Sequence, residues 1–179
     1  KSNADKVCPK WLTISPQDGV IHPGEACRLT FKVLVDRDNA LELNTDDAEL
    51  EELLVIQVVN GRDVFLSVTG DYCRSCYGNS LDQLVQVPGP VRSTLAAPTH
   101  PAVPLRIPKE LWRLVDWIFR FGIRTPRLFV TQADPVAAER VRDLLDTGKE
   151  IPPTIDPHAV TDALLAFLDA LYEPVVPEH

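Results

Sequence analysis

The residues able to do chemistry are few, and their spacing argues against most kinds of it. Four cysteines stand at positions 8, 27, 73 and 76. Cys73-Arg-Ser-Cys76 is a lone C-x-x-C: zinc would need two further soft ligands, and Cys8 and Cys27 form no second pair. A redox role would place the motif at the start of a helix in a βαβ unit, which the flanking residues do not suggest. The expectation is ordinary thiols and no metal. The four histidines, His22, His100, His158 and His179, are scattered, and none has a nucleophile or a second ligand at useful spacing. Neither a glycine-rich phosphate loop nor a G-x-S-x-G turn occurs, and the plentiful carboxylates sit in surface-like settings. No catalytic residue and no cofactor are expected.

Charge narrows the partners. The chain of 179 residues carries a net charge of −8. Residues 1–90 hold 8 basic and 14 acidic groups, and residues 91–179 hold 10 and 12. Neither half has the basic excess that a phosphate backbone requires, so nucleic acid is not an expected partner. Contact with membranes is expected to be indirect. No apolar run approaches the roughly 20 residues of a membrane span, and Lys1–Lys10 has no signal-peptide core. Both features suggest a cytoplasmic chain.

Patterning divides the chain in two. From Cys27 to Val35 every odd position is apolar, with Arg28, Thr30 and Lys32 between them, which predicts a half-buried strand. Leu53–Val59 and Asp63–Thr69 read as two more strands, with Asn60-Gly61 as the hairpin signal between them. Trp11–Ser15 and Gly19–Ile21 read as shorter strands broken at Pro16. Six of the eleven residues from Glu42 to Glu52 are acidic and are expected to form a solvated connection. The whole predicts a β-sandwich over residues 1–87. A proline-rich linker over 88–106 follows, since Pro88, Pro90, Pro98, Pro101 and Pro104 remove donors and fix φ.

Beyond it the period becomes 3.6. Pro108 can open a helix whose apolar face would be Leu111, Leu114, Val115, Ile118 and Phe119. A second helix should start at Asp134-Pro135, bury Ala137, Val141, Leu144 and Leu145, and stop at Gly148. A third should start at Asp156-Pro157, bury Val160, Ala163, Leu164, Phe167, Leu168 and Leu171, and stop by Pro174. The domain assignment is therefore 1–87 sandwich, 88–106 linker and 107–179 helical.

These segments, in this order, resemble a known family. Trp11-Leu-Thr-Ile-Ser-Pro-Gln-Asp-Gly19 and Ile21-His-Pro-Gly-Glu25 resemble the opening of an ASH domain, an immunoglobulin-like sandwich. Val33–Asp36, Leu43-Asn44, Glu52–Val55, Asn60–Asp63 and Phe65–Gly78 are similar to that domain in type II inositol polyphosphate 5-phosphatases, most of all in the OCRL branch. Ile107–Trp112, Leu114–Asp116, Leu144–Gly148 and Ala163–Leu168 resemble the start of that family's Rho-GAP-like domain. The resemblance implies a multidomain β-plus-α chain, with an ASH sandwich followed by a truncated Rho-GAP-like bundle. The parent enzyme would remove the 5-phosphate of phosphatidylinositol 4,5-bisphosphate.

By the same resemblance, the region is a non-catalytic interaction and targeting module peripheral to endosomal, trans-Golgi or ciliary-base membranes. Its implied partners are Rab GTPases, phenylalanine-and-histidine peptides of endocytic adaptors, and Rac, Cdc42 or Arf without catalysis. Active Rho-GAP domains carry an arginine finger in a G-I-F-R-x-S-G-like loop, worth about 10³–10⁵ in rate. The matching loop here is Arg127–Ala133, with Val130 at the finger position, so GAP activity is not expected. Tyr77 occupies an aromatic position implicated in Rab contact; the other reading packs it against the sandwich edge. Trp112 on the first helix is the candidate peptide contact; the other reading makes it a core residue. Two alternatives for the whole are a ciliary or centrosomal ASH scaffold and a residual Rho-family GAP.

Overall fold

The structure is a computed structural model that describes residues 9–45, 49–93 and 105–175. Cys8, His100, His179 and the interior of the expected linker, residues 94–104, lie outside the described residues.

The sequence periods materialise locally, yet they do not assemble as expected. Strand β1 (Leu12–Ser15) pairs antiparallel with β2 (Thr30–Val33), so that Leu12 faces Val33 and Ile14 faces Phe31 on one side, and Thr13 faces Lys32 on the other. Strand β3 (Leu50–Ile56) pairs antiparallel with β4 (Val64–Gly70), from Leu50 opposite Gly70 to Ile56 opposite Val64. The connection therefore spans residues 57–63, longer than a two-residue hairpin, although Asn60 takes the positive φ of 60° that its turn signal implied. Gly19–Ile21 forms no strand.

The predicted sandwich is corrected at this point. Among the described residues there are two separate two-stranded sheets, with no ladder joining them. An immunoglobulin-type sandwich needs about seven strands in two sheets whose inner faces interdigitate. Here Phe31, Val33, Leu53, Val55 and Phe65 all remain exposed instead of closing on one another. Alternation in sequence is satisfied by any pleated pair, and it does not specify which sheet a strand must cover.

Two helices appear where none was expected. Helix α1 (Arg37–Asn44) is started by Asp36, whose carboxylate accepts the Asn39 N–H at 3.0 Å. It takes up the first part of the acidic stretch read as a connection, and it buries Ala40, Leu43 and Asn44. Helix α2 (Leu81–Gln86) begins with a reciprocal cap in which Ser80 accepts the Gln83 N–H and Gln83 accepts the Ser80 N–H.

The C-terminal helices follow their signals closely. α4 (Pro135–Asp146) is capped by Asp134 and α5 (Pro157–Asp169) by Asp156, each with proline in its first turn. After α4 the chain reverses through Gly148, whose φ of +71° suits a glycine. α3 (Lys109–Trp117) runs into a π-turn over Ile118–Gly122. Its buried face is Glu110, Leu114, Trp117 and Ile118, rotated from the expected one, so that Val115 and Phe119 point outward. Trp117 goes with the rotation: its ring is buried, and its indole N–H donates to the Ile151 carbonyl at 3.2 Å, which turns this side of the helix inward.

The main core joins α3, α4 and α5 through Leu114, Trp117, Val141, Leu145, Val160 and Phe167. It also contains Cys76, Tyr77, Leu84 and Val91, which precede the helical region in sequence. Packing thus runs across the expected border near residue 87, and Leu105 ties back to Val85 through a 2.9 Å backbone bond. No helix of the described residues is long and apolar enough to cross a membrane.

Candidate functional site

Residues 75–79 form the most constrained polar feature of the molecule. Ser75, Cys76, Tyr77, Gly78 and Asn79 are all buried. A buried strip outside regular structure must find partners for its own N–H and C=O groups, and side chains of α1 and α4 supply several of them. Asn44 of α1 brackets the strip, its Oδ1 accepting the Ser75 N–H at 3.1 Å and its Nδ2 donating to the Tyr77 carbonyl at 3.0 Å. Asp146 of α4 accepts the Cys76 N–H at 2.7 Å. The Tyr77 hydroxyl donates to the Ala163 carbonyl of α5 at 3.0 Å. Asn79 donates to the Ser75 carbonyl, and the Tyr172 N–H donates to the Asn79 carbonyl. Gly78 is needed for two reasons: its φ is +80°, and a Cβ there would lie 2.7 Å from that of Ala40.

Tyr77 is only 8% exposed. Its ring meets Phe167 edge-on at 5.7 Å, and the Arg142 guanidinium lies 4.6 Å over its face. Burial, with the nearby Cys76 adding to it, pushes the phenol far above its ordinary value, so the hydroxyl stays a donor. Of the two readings of Tyr77, partner contact or packing, the structure shows packing, and against α4 and α5 instead of a sandwich edge. Tyr77 also borders an open cleft of about 600 Å³, together with Tyr72, Arg37, Arg142 and Glu139.

The two candidate thiols differ. Cys73 is exposed, whereas Cys76 is fully buried, with burial and the Asp146 carboxylate pushing its thiol well above the usual range. Among the described residues, no group of three His, Cys, Asp or Glu side chains could hold a metal ion.

Trp112 has the opposite fate to Tyr77. It stands on α3 and is 55% exposed, flanked by outward-facing Val115 one turn on. The helix is held from its other side by Leu114 and Trp117, and by Arg113, which donates to the Leu144 and Lys149 carbonyls near the end of α4. The ring is therefore presented on a fixed support.

Val130 lies in a turn closed by its own N–H on the Arg127 carbonyl at 3.0 Å, with Arg127 at φ 52°. Thr161 of α5 donates to the Leu128 carbonyl at 2.8 Å, and Asp162 accepts the Ala133 N–H at 2.7 Å. The loop is pinned at both ends and leaves Val130 79% exposed at its tip. Tyr77 is interior, whereas Trp112 and Val130 are exposed, so the structure does not bring Tyr77 into a surface site with them. The bracket formed by Asn44 and Asp146 was not foreseen. Only the capping residue Asp36 could have pointed to the helix that carries Asn44.

Comparison with known proteins places this arrangement. The pattern that defines the ASH domain of inositol polyphosphate 5-phosphatase OCRL-like proteins matches residues 1–72, and the pattern of the RhoGAP domain matches residues 108–179. The chain has an N-terminal ASH-domain-like region and a C-terminal RhoGAP-like region, homologous to those of OCRL-type inositol 5-phosphatases. A particular relative is the mouse type II inositol 1,4,5-trisphosphate 5-phosphatase, 31% identical over 191 aligned residues that cover 98% of this chain. The chain spans about a fifth of that relative's length, 19%. An ASH-like region followed by a RhoGAP-like one is consistent with the scaffold or adaptor role typical of OCRL-family proteins.

Proposed function

We propose that this chain is a non-catalytic interaction module that places a phosphoinositide 5-phosphatase on endosomal or trans-Golgi membranes by binding other proteins. The observation that carries this reading is Trp112, a large apolar ring held half out of a rigid helix. Aromatic rings of this kind act as binding anchors because their apolar area is removed from water only in the complex. A short phenylalanine-and-histidine peptide of an endocytic adaptor fits that contact, since its own aromatic ring can stack on the indole. A Rab GTPase is the partner proposed for the ASH-like region. Tyr77 enters this reading as the residue that fixes residues 75–79 against the helices, and it does not touch the partner.

Catalysis on Rho-family GTPases is not part of the proposal. Val130 stands at the finger position, and an isopropyl group cannot stabilise the charge that develops on a transferring phosphoryl group. Rac, Cdc42 or Arf could bind without being turned over. In titration calorimetry, the phenylalanine-and-histidine peptide and GTP-loaded Rab should each bind the chain with one-to-one stoichiometry. The absence of both would overturn the reading, as would GTP hydrolysis on Rac or Cdc42 accelerated about a hundredfold or more, an effect approaching the roughly 10³–10⁵ of a working finger.

A further inference from the structure

The segment from Trp117 to Ala133 has a character unlike the rest of the chain. It contains Arg120, Arg124 and Arg127 and no carboxylate, within a protein of net charge −8. Arg120 is tied to Asp116 at 3.0 Å, while neither Arg124 nor Arg127 has a carboxylate partner among the described residues. In the same segment Phe119, Phe121, Ile123, Phe129 and Val130 are exposed, Phe119 to 70%. The segment is folded, because the Thr125 N–H closes a turn on the Gly122 carbonyl at 2.8 Å and the Val130 N–H closes the next. The structure thus holds these apolar side chains in water and does not bury them in the core beside them.

We infer that this segment docks directly on an anionic lipid surface, which adds a membrane contact to the protein-mediated placement proposed above. Large apolar side chains interleaved with arginines are the composition of interfacial membrane contacts: the rings enter the boundary between headgroup and acyl chain, and the guanidinium groups stay at the phosphates. The charge is complementary to such a surface: with Arg124 and Arg127 facing no carboxylate partner among the described residues, this segment of an acidic chain turns toward a negative surface, whereas the remainder of the protein is repelled by it.

Flotation of the whole chain with phosphatidylcholine vesicles, with and without phosphatidylserine, tests this. Binding should require phosphatidylserine and weaken with added salt. Arg124→Glu combined with Arg127→Glu should lower it about 30-fold or more, since each basic residue near an anionic surface contributes several-fold. Phe129→Ser combined with Val130→Ser should also lower it, whereas Arg140→Glu, exposed on α4, should not. Circular dichroism checks that each variant is folded; if the charge reversal fails that check, Arg124→Gln with Arg127→Gln takes its place and should still weaken binding. Flotation that ignores phosphatidylserine would overturn the inference. So would an Arg140→Glu loss as large as that of the double reversal, or double-reversal variants that lose only GTPase binding, which would make the segment a protein contact.

Discussion

Replacing Tyr77 by alanine separates the buried role described above from a contact role at the surface. The ring is 8% exposed, packs edge-on against Phe167, lies beneath Arg142 and donates its hydroxyl to the Ala163 carbonyl. Truncating a buried aromatic to alanine costs about 3–5 kcal/mol, because transfer and cavity terms add. For a chain of this size, each kcal/mol lowers the melting temperature by about 2–4 °C, so the expected fall is roughly 6–20 °C. Tyr77→Phe keeps the ring and removes only the hydroxyl bond, at about 1 kcal/mol, and should melt about 2–4 °C below wild type. Thermal unfolding followed by circular dichroism at neutral pH measures both. If Tyr77→Ala melted within about 2 °C of wild type, the range of a minor surface change, the ring could not be part of the core. The phenol adds a pH arm. Burial raises its folded value above the unfolded one of about 10, so its contribution is fully present below that pH and is lost as the pH rises beyond it. The stability of wild type relative to Tyr77→Phe should therefore decline above about pH 10.

Other consequences follow from the same contacts. Asn44→Ala leaves the Ser75 N–H and the Tyr77 carbonyl without their side-chain partner, and should destabilise the chain by about 2–4 kcal/mol in urea unfolding. A native thiol titration should lose one fast-reacting group in Cys73→Ser and none in Cys76→Ser, because only the first thiol is exposed and the second is both buried and raised in pKa. Single-turnover hydrolysis of GTP on Rac or Cdc42 with saturating chain should run at the intrinsic rate.

The sequence was most informative where a local rule leaves one outcome. Asp134-Pro135 and Asp156-Pro157 started their helices, and Gly148 ended one, because caps act over a few residues and need no distant partner. The reciprocal cap of Ser80 and Gln83 is equally legible in the sequence, although it falls within the expected sandwich of residues 1–87. Long-range choices were hidden. The alternation at 27–35 is real in β2, but nothing in it says that no second sheet will cover it. On α3 the periodicity pointed to a face through Val115 and Phe119, and it could not show the bond from Trp117 to Ile151, 34 residues away, that goes with the rotated one. Tyr77 went the same way: its neighbours in sequence fall within the expected sandwich of residues 1–87, while its neighbours in space are Phe167, Ala163 and Arg142.

The central claim is that Trp112 is a binding anchor and not a structural residue, and calorimetric titration of wild type and Trp112→Ala with one phenylalanine-and-histidine peptide tests it most directly. The indole is 55% exposed on a helix held by other residues, so its removal should leave the melting temperature within about 2 °C. Loss of an aromatic anchor costs about 2–4 kcal/mol of binding, a weakening of roughly 30- to 1,000-fold. A normally melting Trp112→Ala chain that bound the peptide with wild-type affinity would contradict the account.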